Sequence, residues 1–150
     1  MLLSLLLLLL LTFKFKHGAV KHLIATSIFE EKCVYISGPH RGGKHDLAIH
    51  REELKGVIKD GKKVIADRGF RSSKLSERGL ATPFALDSKE LNQFKARSRL
   101  RHETLNGRVK FFDIMSQTFR HGQAKHKVAF EAVCVTVQCQ MDNGSPIFAV

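Results

Sequence analysis

The chain has 150 residues, of which 43% are hydrophobic, and it carries a formal net charge of +11. This length and apolar content exclude a globally disordered chain and fit one folded domain with an ordinary core. The charge favours polyanionic partners, either nucleic acid or an anionic membrane surface, and does not choose between them.

The chain opens with the apolar run "MLLSLLLLLLLTF". The run is shorter than the roughly 18 to 20 residues that cross a bilayer, and it lacks the basic start and the small-residue cleavage site of a secretory signal. Three interpretations stay open: a short buried strand, a weak membrane signal, or translated sequence that belongs to no domain. We therefore set residues 1–12 apart as a low-complexity apolar leader and begin the domain at residue 13.

Two β-rich segments follow, Val20–Ile28 and Cys33–Ser37, and the polar residues 29–32 between them predict a β-hairpin. A loop rich in glycine then leads to a helix with Asp46 as its N-cap, which Asp60 and Gly61 would end. The apolar positions of this helix are Ile49, Leu54, Val57 and Ile58.

The segment "KKVIADRGF" predicts a short strand over residues 64–66 that runs directly into Asp67. Residues 71–87 are expected to form a loop, with "PFAL" as a short strand. A long helix is then predicted from Asp87, because Glu90 follows three residues later as in a capping box, and Gly107 is where it would kink. Its apolar face would hold Leu91, Phe94, Leu105, Val109, Phe112 and Met115.

The last predicted element begins near Gln123 and ends at Asn143 and Gly144. Its β-branched residues allow a strand, but its length and its three- and four-residue apolar steps favour a helix. The order of strand, strand, helix, strand and then helices predicts an α/β fold without an internal repeat.

The three cysteines, Cys33, Cys134 and Cys139, form an odd set without CxxC spacing, which favours reduced thiols in an intracellular protein. The eight histidines do not show the spacing of a helical zinc site, so no structural zinc is expected.

Glu103 is the one acidic residue in a basic stretch of the long helix predicted from Asp87. The cations between residues 95 and 110 are Lys95, Arg97, Arg99, Arg101, Arg108 and Lys110. Helical spacing places Arg99, Asn106 and Lys110 on the face of Glu103. One interpretation is a solvated salt-bridge stripe, which would contribute little. The other is a metal-binding carboxylate beside cations that hold a phosphate backbone, as two-metal phosphodiester cleavage by Mg²⁺ requires.

Asp67 is the other candidate, because it follows an apolar strand at the kind of strand end where α/β folds place their sites. Its alternative role is that of an ordinary turn or cap residue. Position alone favours the turn or cap role.

Four segments resemble, in the same order, the C-terminal two thirds of the DDE superfamily endonuclease domain of Harbinger-like and related insertion-sequence transposases. They are "GPHRGGKHDLAIHREEL", "VIADRGF", "RSRLRHETLNGRVKFF" and "FRHGQAKHKVAFEAVCVTVQCQMDNGSPIF", and the resemblance covers about residues 13–150. It implies an RNase H-like α/β fold in which two Asp and one Glu hold divalent metal, Mg²⁺ or Mn²⁺, and cut and join DNA. Asp67 matches the second Asp of this family and Glu103 its Glu, as catalytic residues and metal ligands. The DNA-binding residues would be Arg97, Arg99, Arg101, Arg108 and Lys110.

The first family Asp has no counterpart, because the chain has no Asp or Glu before Glu30. Asp46 is a poor substitute, since the family has an aspartate in the matching loop as well as the upstream catalytic one. With one metal ligand lost, we expect an impaired, truncated transposase domain that does not cleave DNA at an appreciable rate.

Two other classes of function remain open. The runner-up is a transposase-derived protein that binds DNA through phosphates without catalysis, and the third, a secreted or membrane-associated basic protein, depends only on residues 1–13. DNA is the expected partner and assembly with further copies is left open, whereas a small-molecule substrate or a membrane partner is not expected. The expected location is nuclear in a eukaryote and cytoplasmic otherwise.

Overall fold

The computed structural model describes residues 5–15, 18–54, 56–58, 63–66, 70, 80–82 and 87–148. In chain order the elements are β1 (Leu5–Phe15), β2 (Gly18–Ser27), β3 (Cys33–Arg41), α1 (Asp46–Glu53), β4 (Lys63–Ile65), β5 (Leu80–Ala81), α2 (Lys89–Lys110), α3 (Asp113–Ser116) and α4 (Gln123–Asp142). The predicted mixed α/β class is confirmed.

The strands form one sheet in the order β3-β2-β1-β4-β5. β1 pairs with β2 and β2 with β3 antiparallel, whereas β1 pairs with β4 and β4 with β5 in parallel. Among these five strands, β2 alone therefore runs against the others. The leucine run is β1, the central strand, so the sheet includes residues that the sequence assigned to a leader ending at residue 12.

Helices cover both faces of the sheet, which alternating strand residues divide between them. On one face, β2, β4 and α1 bury Leu23, Ala25, Ile49, Leu54, Val64 and Ala66, together with Phe70. On the other face, α2, α3 and α4 pack on β1 and β2 through residues that include Leu11, Phe13, Ile24, Leu105, Val109, Phe130 and Val137. A central strand between two helical layers favours an apolar residue at every position, which suits an uninterrupted leucine run.

The predicted hairpin and the short strand near residue 64 are confirmed as the β2–β3 pair and β4. The start of α1 differs from the prediction: His45 is the N-cap, and its side chain accepts a hydrogen bond from the backbone N–H of Leu47. Asp46 lies in the first turn instead, where its carboxylate is 2.7 Å from Lys21 Nζ. The helix ends at Glu53, earlier than expected. Asp60 and Gly61, which were expected to end it, lie outside the described residues.

α2 also begins differently from the prediction, because Ser88 is its N-cap and accepts from the backbone N–H of Leu91 at 3.2 Å. Asp87 instead accepts from the Nζ of Lys95 at 2.7 Å. The helix is continuous through Gly107 and ends at Lys110. Met115 therefore belongs to the short helix α3, with Phe112 as its N-cap, and neither residue lies on the apolar face of α2.

Two predictions remain, the short strand at "PFAL" and the helix at the end of the chain. The "PFAL" segment lies outside the described residues, while β5 is found just before it at Leu80–Ala81. The helical prediction for the last element is confirmed by α4. Gly144 follows its C-cap with a φ of +96°, a left-handed conformation that glycine adopts without strain.

Candidate functional site

The end of β4 lies beside the leucine strand. Asp67 itself is outside the described residues, but β4 ends at Ile65, two positions before it, and Ile65 pairs with Leu7 of β1. β1 has the sequence LLLLLLLTFKF and contains no acidic residue. The strand next to the second candidate carboxylate therefore supplies no further carboxylate for a metal.

Glu103 lies near the middle of α2 and its side chain is exposed. The buried face of this helix is formed by Lys95, Ser98, Arg101, His102, Leu105 and Val109. At 3.6 residues per turn, Glu103 points about 130° away from the centre of that face. The helix therefore directs this carboxylate to solvent and not towards the sheet. No ion pair or hydrogen bond to another described residue holds it.

The face of α2 that includes Glu103 has the composition that the sequence predicted. Because the helix is continuous, Arg99, Asn106 and Lys110 lie within about 60° of one another and of Glu103 around its axis. Lys110 is exposed, and Arg99 is half-buried. This face could contact a phosphate backbone.

Arg101 has a structural role that the sequence did not suggest. It is 4% exposed, and its guanidinium donates to the backbone carbonyls of Ile28 at 2.7 Å and Glu30 at 3.0 Å. Burial lowers the pKa of this guanidinium. Arg101 thus ties α2 to the turn between β2 and β3 and is not available to DNA, contrary to the expectation from sequence.

Arg108 is also engaged within the fold, since its guanidinium donates to the carbonyls of Ser145 and Pro146 after α4. Arg97 is exposed and lies on the other side of α2 from Lys110. Of the other predicted DNA-binding residues, Arg97 and Lys110 are exposed and Arg99 is half-buried.

A second site, which the sequence did not reveal, is a polar cavity of about 450 Å³ at the edge strand β3. Its walls come from β2, β3, the end of α1 and the start of α4, and they include His22, Tyr35, Ser37, His40, Glu53, Lys127 and Glu131. Tyr35 donates to Glu53 at 3.0 Å, and the side chains of Ser37 and His40 are 3.2 Å apart. The lining residues come from four separate segments of the chain, so no local motif predicts the cavity.

His22 lines this cavity and is buried against His126, with Nε2 3.0 Å from Nδ1 of His126. Burial, and next the proximity of His126, lower the pKa of His22 to about 3. The ring is therefore neutral at pH 7, and one imidazole of the pair donates to the other. The sequence had considered histidines only as zinc ligands.

The described residues contain no group of three or more His, Cys, Asp or Glu side chains arranged to hold a metal ion. None of the described helices has both the length and the apolar character needed to cross a membrane.

The chain matches no family model, no curated protein and no solved structure.

Proposed function

We propose that the chain is a transposase-derived DDE endonuclease domain that binds DNA and has lost metal-dependent cleavage. The observation that supports the proposal is that the opening and central strand β1 contains no carboxylate, whereas the resemblance implies a catalytic Asp on the opening strand of the domain. A domain that lacks this Asp would lose cleavage and would keep its affinity for phosphates.

The sheet supports an RNase H-like fold as the framework of this proposal. That fold is characterised by a sheet in the order 3-2-1-4-5 in which strand 2 alone is antiparallel, and β1 to β5 have this order and these directions. The helix that carries Glu103 is the first described helix after β5, as the resemblance of its sequence to the family's terminal Glu motif implies.

The residues do not fit a two-metal site. Two Mg²⁺ ions about 4 Å apart need several carboxylates brought together from separate segments. Asp67 and Glu103 are the two candidate ligands, but β1 supplies no third acid, and Glu103 points away from the sheet into solvent. We therefore derive no cleavage step through a metal.

DNA binding would depend on the net charge of +11 and on the exposed side of α2. Cations that neutralise phosphates release condensed counterions, so affinity falls steeply with salt concentration. Lys110, which is exposed and lies on the face of α2 that also presents Arg99, is the residue that best tests this surface.

The test measures the affinity for a short DNA duplex by fluorescence anisotropy at several salt concentrations, with Mg²⁺ or with EDTA. We expect a strong salt dependence that is insensitive to Mg²⁺. Lys110→Gln should reduce the slope of log K against log salt by about 0.9, the contribution of one phosphate contact.

The matched control is Lys44→Gln, because Lys44 lies just before α1 on the opposite face of the sheet and pairs with Glu52 at the surface. This change should leave the slope unaltered. An equal effect of both substitutions would argue against the α2 surface. Nicking of a supercoiled plasmid that requires Mg²⁺ or Mn²⁺ and disappears in Glu103→Gln would overturn the loss of cleavage.

A further inference from the structure

The outer face of α4 carries an exposed apolar stripe. Val128 and Val135 are 66% and 63% exposed, and Ala124, Ala132 and Cys139 are exposed on the same side. The buried residues of α4 are His126, Phe130, Val133, Cys134, Val137 and Met141. At 3.6 residues per turn the stripe lies almost directly opposite that buried face. Successive residues of the stripe are four, four, three and four positions apart, which is the spacing of the apolar seam between two paired helices.

An apolar groove continues the stripe towards the sheet. It lies between α4 and the edge strand β3, has a volume of about 390 Å³, and is lined in part by Val34, Ile36, Val135 and Gln138. Val34 is 48% exposed. The stripe and the groove together form a contiguous surface of the kind that marks an interaction site.

The charges at the two ends of α4 indicate what covers this surface. Around its start the chain carries Arg120, His121, Lys125 and Lys127, and the first turn has no acidic residue. The last turn has no basic residue and ends at Asp142. Both ends therefore have the sign that the helix dipole disfavours. A second helix of the same sequence, running in the opposite direction, would correct the imbalance at both ends.

We propose that α4 pairs antiparallel with α4 of a second copy of the chain, about a twofold axis close to Ala132. In this register Val128 faces Val135 of the partner subunit, and Ala124 faces Cys139 of the partner subunit. The arrangement is self-complementary, as a twofold interface requires, and the alanines allow the helix axes to approach to about 8 Å. The inference does not depend on the function proposed above.

The same register brings His121 and Lys125 close to Asp142 of the partner subunit. A parallel pair would instead place Lys125 against Lys125 of the partner subunit and would repeat the unfavourable dipole. Since the seam has few and short side chains, its area is below the standard interface of about 800 Å² per partner. We therefore expect a weak dimer with a dissociation constant in the micromolar range.

The first test is sedimentation equilibrium of the full chain over a concentration series. We expect a monomer–dimer equilibrium that weakens as salt is added, because the paired charges are exposed. Val135→Glu should abolish the dimer, because it buries a carboxylate in the seam. Val57→Glu is the matched control, since Val57 is 59% exposed and lies after α1 on the other face of the sheet; its dimer should be unchanged.

The second test fixes the direction of the helices by oxidation. In Ala124→Cys, the introduced thiol should form an intermolecular disulfide with Cys139 of the partner subunit, and adding Cys139→Ser should remove it. The wild-type chain should form no such crosslink, because two copies of Cys139 would be about 22 Å apart, beyond the roughly 7 Å limit between Cα atoms. A Cys139 to Cys139 disulfide in the wild type would overturn the antiparallel pairing. A chain that stays monomeric at every concentration, with no crosslink in Ala124→Cys, would overturn the dimer itself.

Discussion

Arg101 and Glu103 show how differently two neighbouring charges on one helix are used. In the sequence both belong to the same basic stretch, and nothing distinguishes Arg101 from the other cations. In the fold Arg101 is buried and Glu103 is exposed, because side chains two positions apart on a helix are rotated by about 200° around its axis. The carbonyl of Ile28, to which Arg101 donates, is 73 residues away in the chain. The role of Arg101 could not be predicted, since it depends on a turn that only the tertiary structure brings near.

The burial of Arg101 leads to a prediction about stability. Arg101→Met would leave the carbonyls of Ile28 and Glu30 without their charged donor, and we expect the free energy of unfolding to fall by about 2 to 4 kcal/mol. Urea denaturation followed by circular dichroism measures this loss. Arg41→Met, at the exposed end of β3, is the matched control and should change stability by about 0.5 kcal/mol or less. Equal losses in the two variants would show that Arg101 does not hold the turn.

At the scale of single elements, the sequence predicted those with a clear local signal. The β2–β3 hairpin follows from two β-rich segments around a polar turn and α4 from its three- and four-residue apolar steps, and both are confirmed. Helix ends were less predictable. Asp87 and Ser88 are both residue types that cap helices, and the choice between them depends on Lys95, whose buried ammonium group takes the carboxylate of Asp87.

Two substitutions at the start of α2 separate the cap from the ion pair. Ser88→Ala should lower the free energy of unfolding by about 1 kcal/mol, because it removes the acceptor for the N–H of Leu91. Asp87→Asn should lower the free energy of unfolding more, by about 3 kcal/mol. The buried ammonium group of Lys95 would lose its anionic partner and would retain only its hydrogen bond to the carbonyl of Thr82. Chemical denaturation of each variant measures both losses.

The same pair of variants tests the capping box that the sequence suggested. Asparagine caps helices as well as aspartate does, so Asp87→Asn would be nearly neutral if Asp87 were the cap. A harmless Asp87→Asn together with a harmless Ser88→Ala would therefore contradict the arrangement in the structure. Combining Asp87→Asn with Lys95→Met is the control for the ion pair, and it should restore part of the lost stability because no buried charge is then left alone.

At the scale of the whole molecule, the leucine run changes the interpretation of the chain. A run without alternation gives no periodic signal, so the sequence allowed a strand, a membrane signal and a stretch outside any domain. The pairing partners decide for the strand: β2 on one side and β4 on the other make β1 the link between the antiparallel and the parallel parts of the sheet. Such long-range pairing is what local patterns cannot supply. The candidate site could be predicted only in part for the same reason. Neither the exposure of Glu103 nor the cavity near His22 follows from local spacing in the sequence.

Removal of residues 1–12 should therefore prevent folding and not simply trim a leader. Without β1, the backbone groups of β2 and β4 that it pairs with would be unpaired, and the buried Ile24 would lose its neighbour Leu11 in the core. We expect the shortened chain to lack a cooperative unfolding transition in urea, whereas the full chain shows one. Leu11→Ala, which keeps the strand and removes one buried side chain, should retain the transition and lose about 2 to 5 kcal/mol. A shortened chain that unfolds cooperatively at the midpoint of the full chain would show that the leucine strand is dispensable, and the domain would then begin after it.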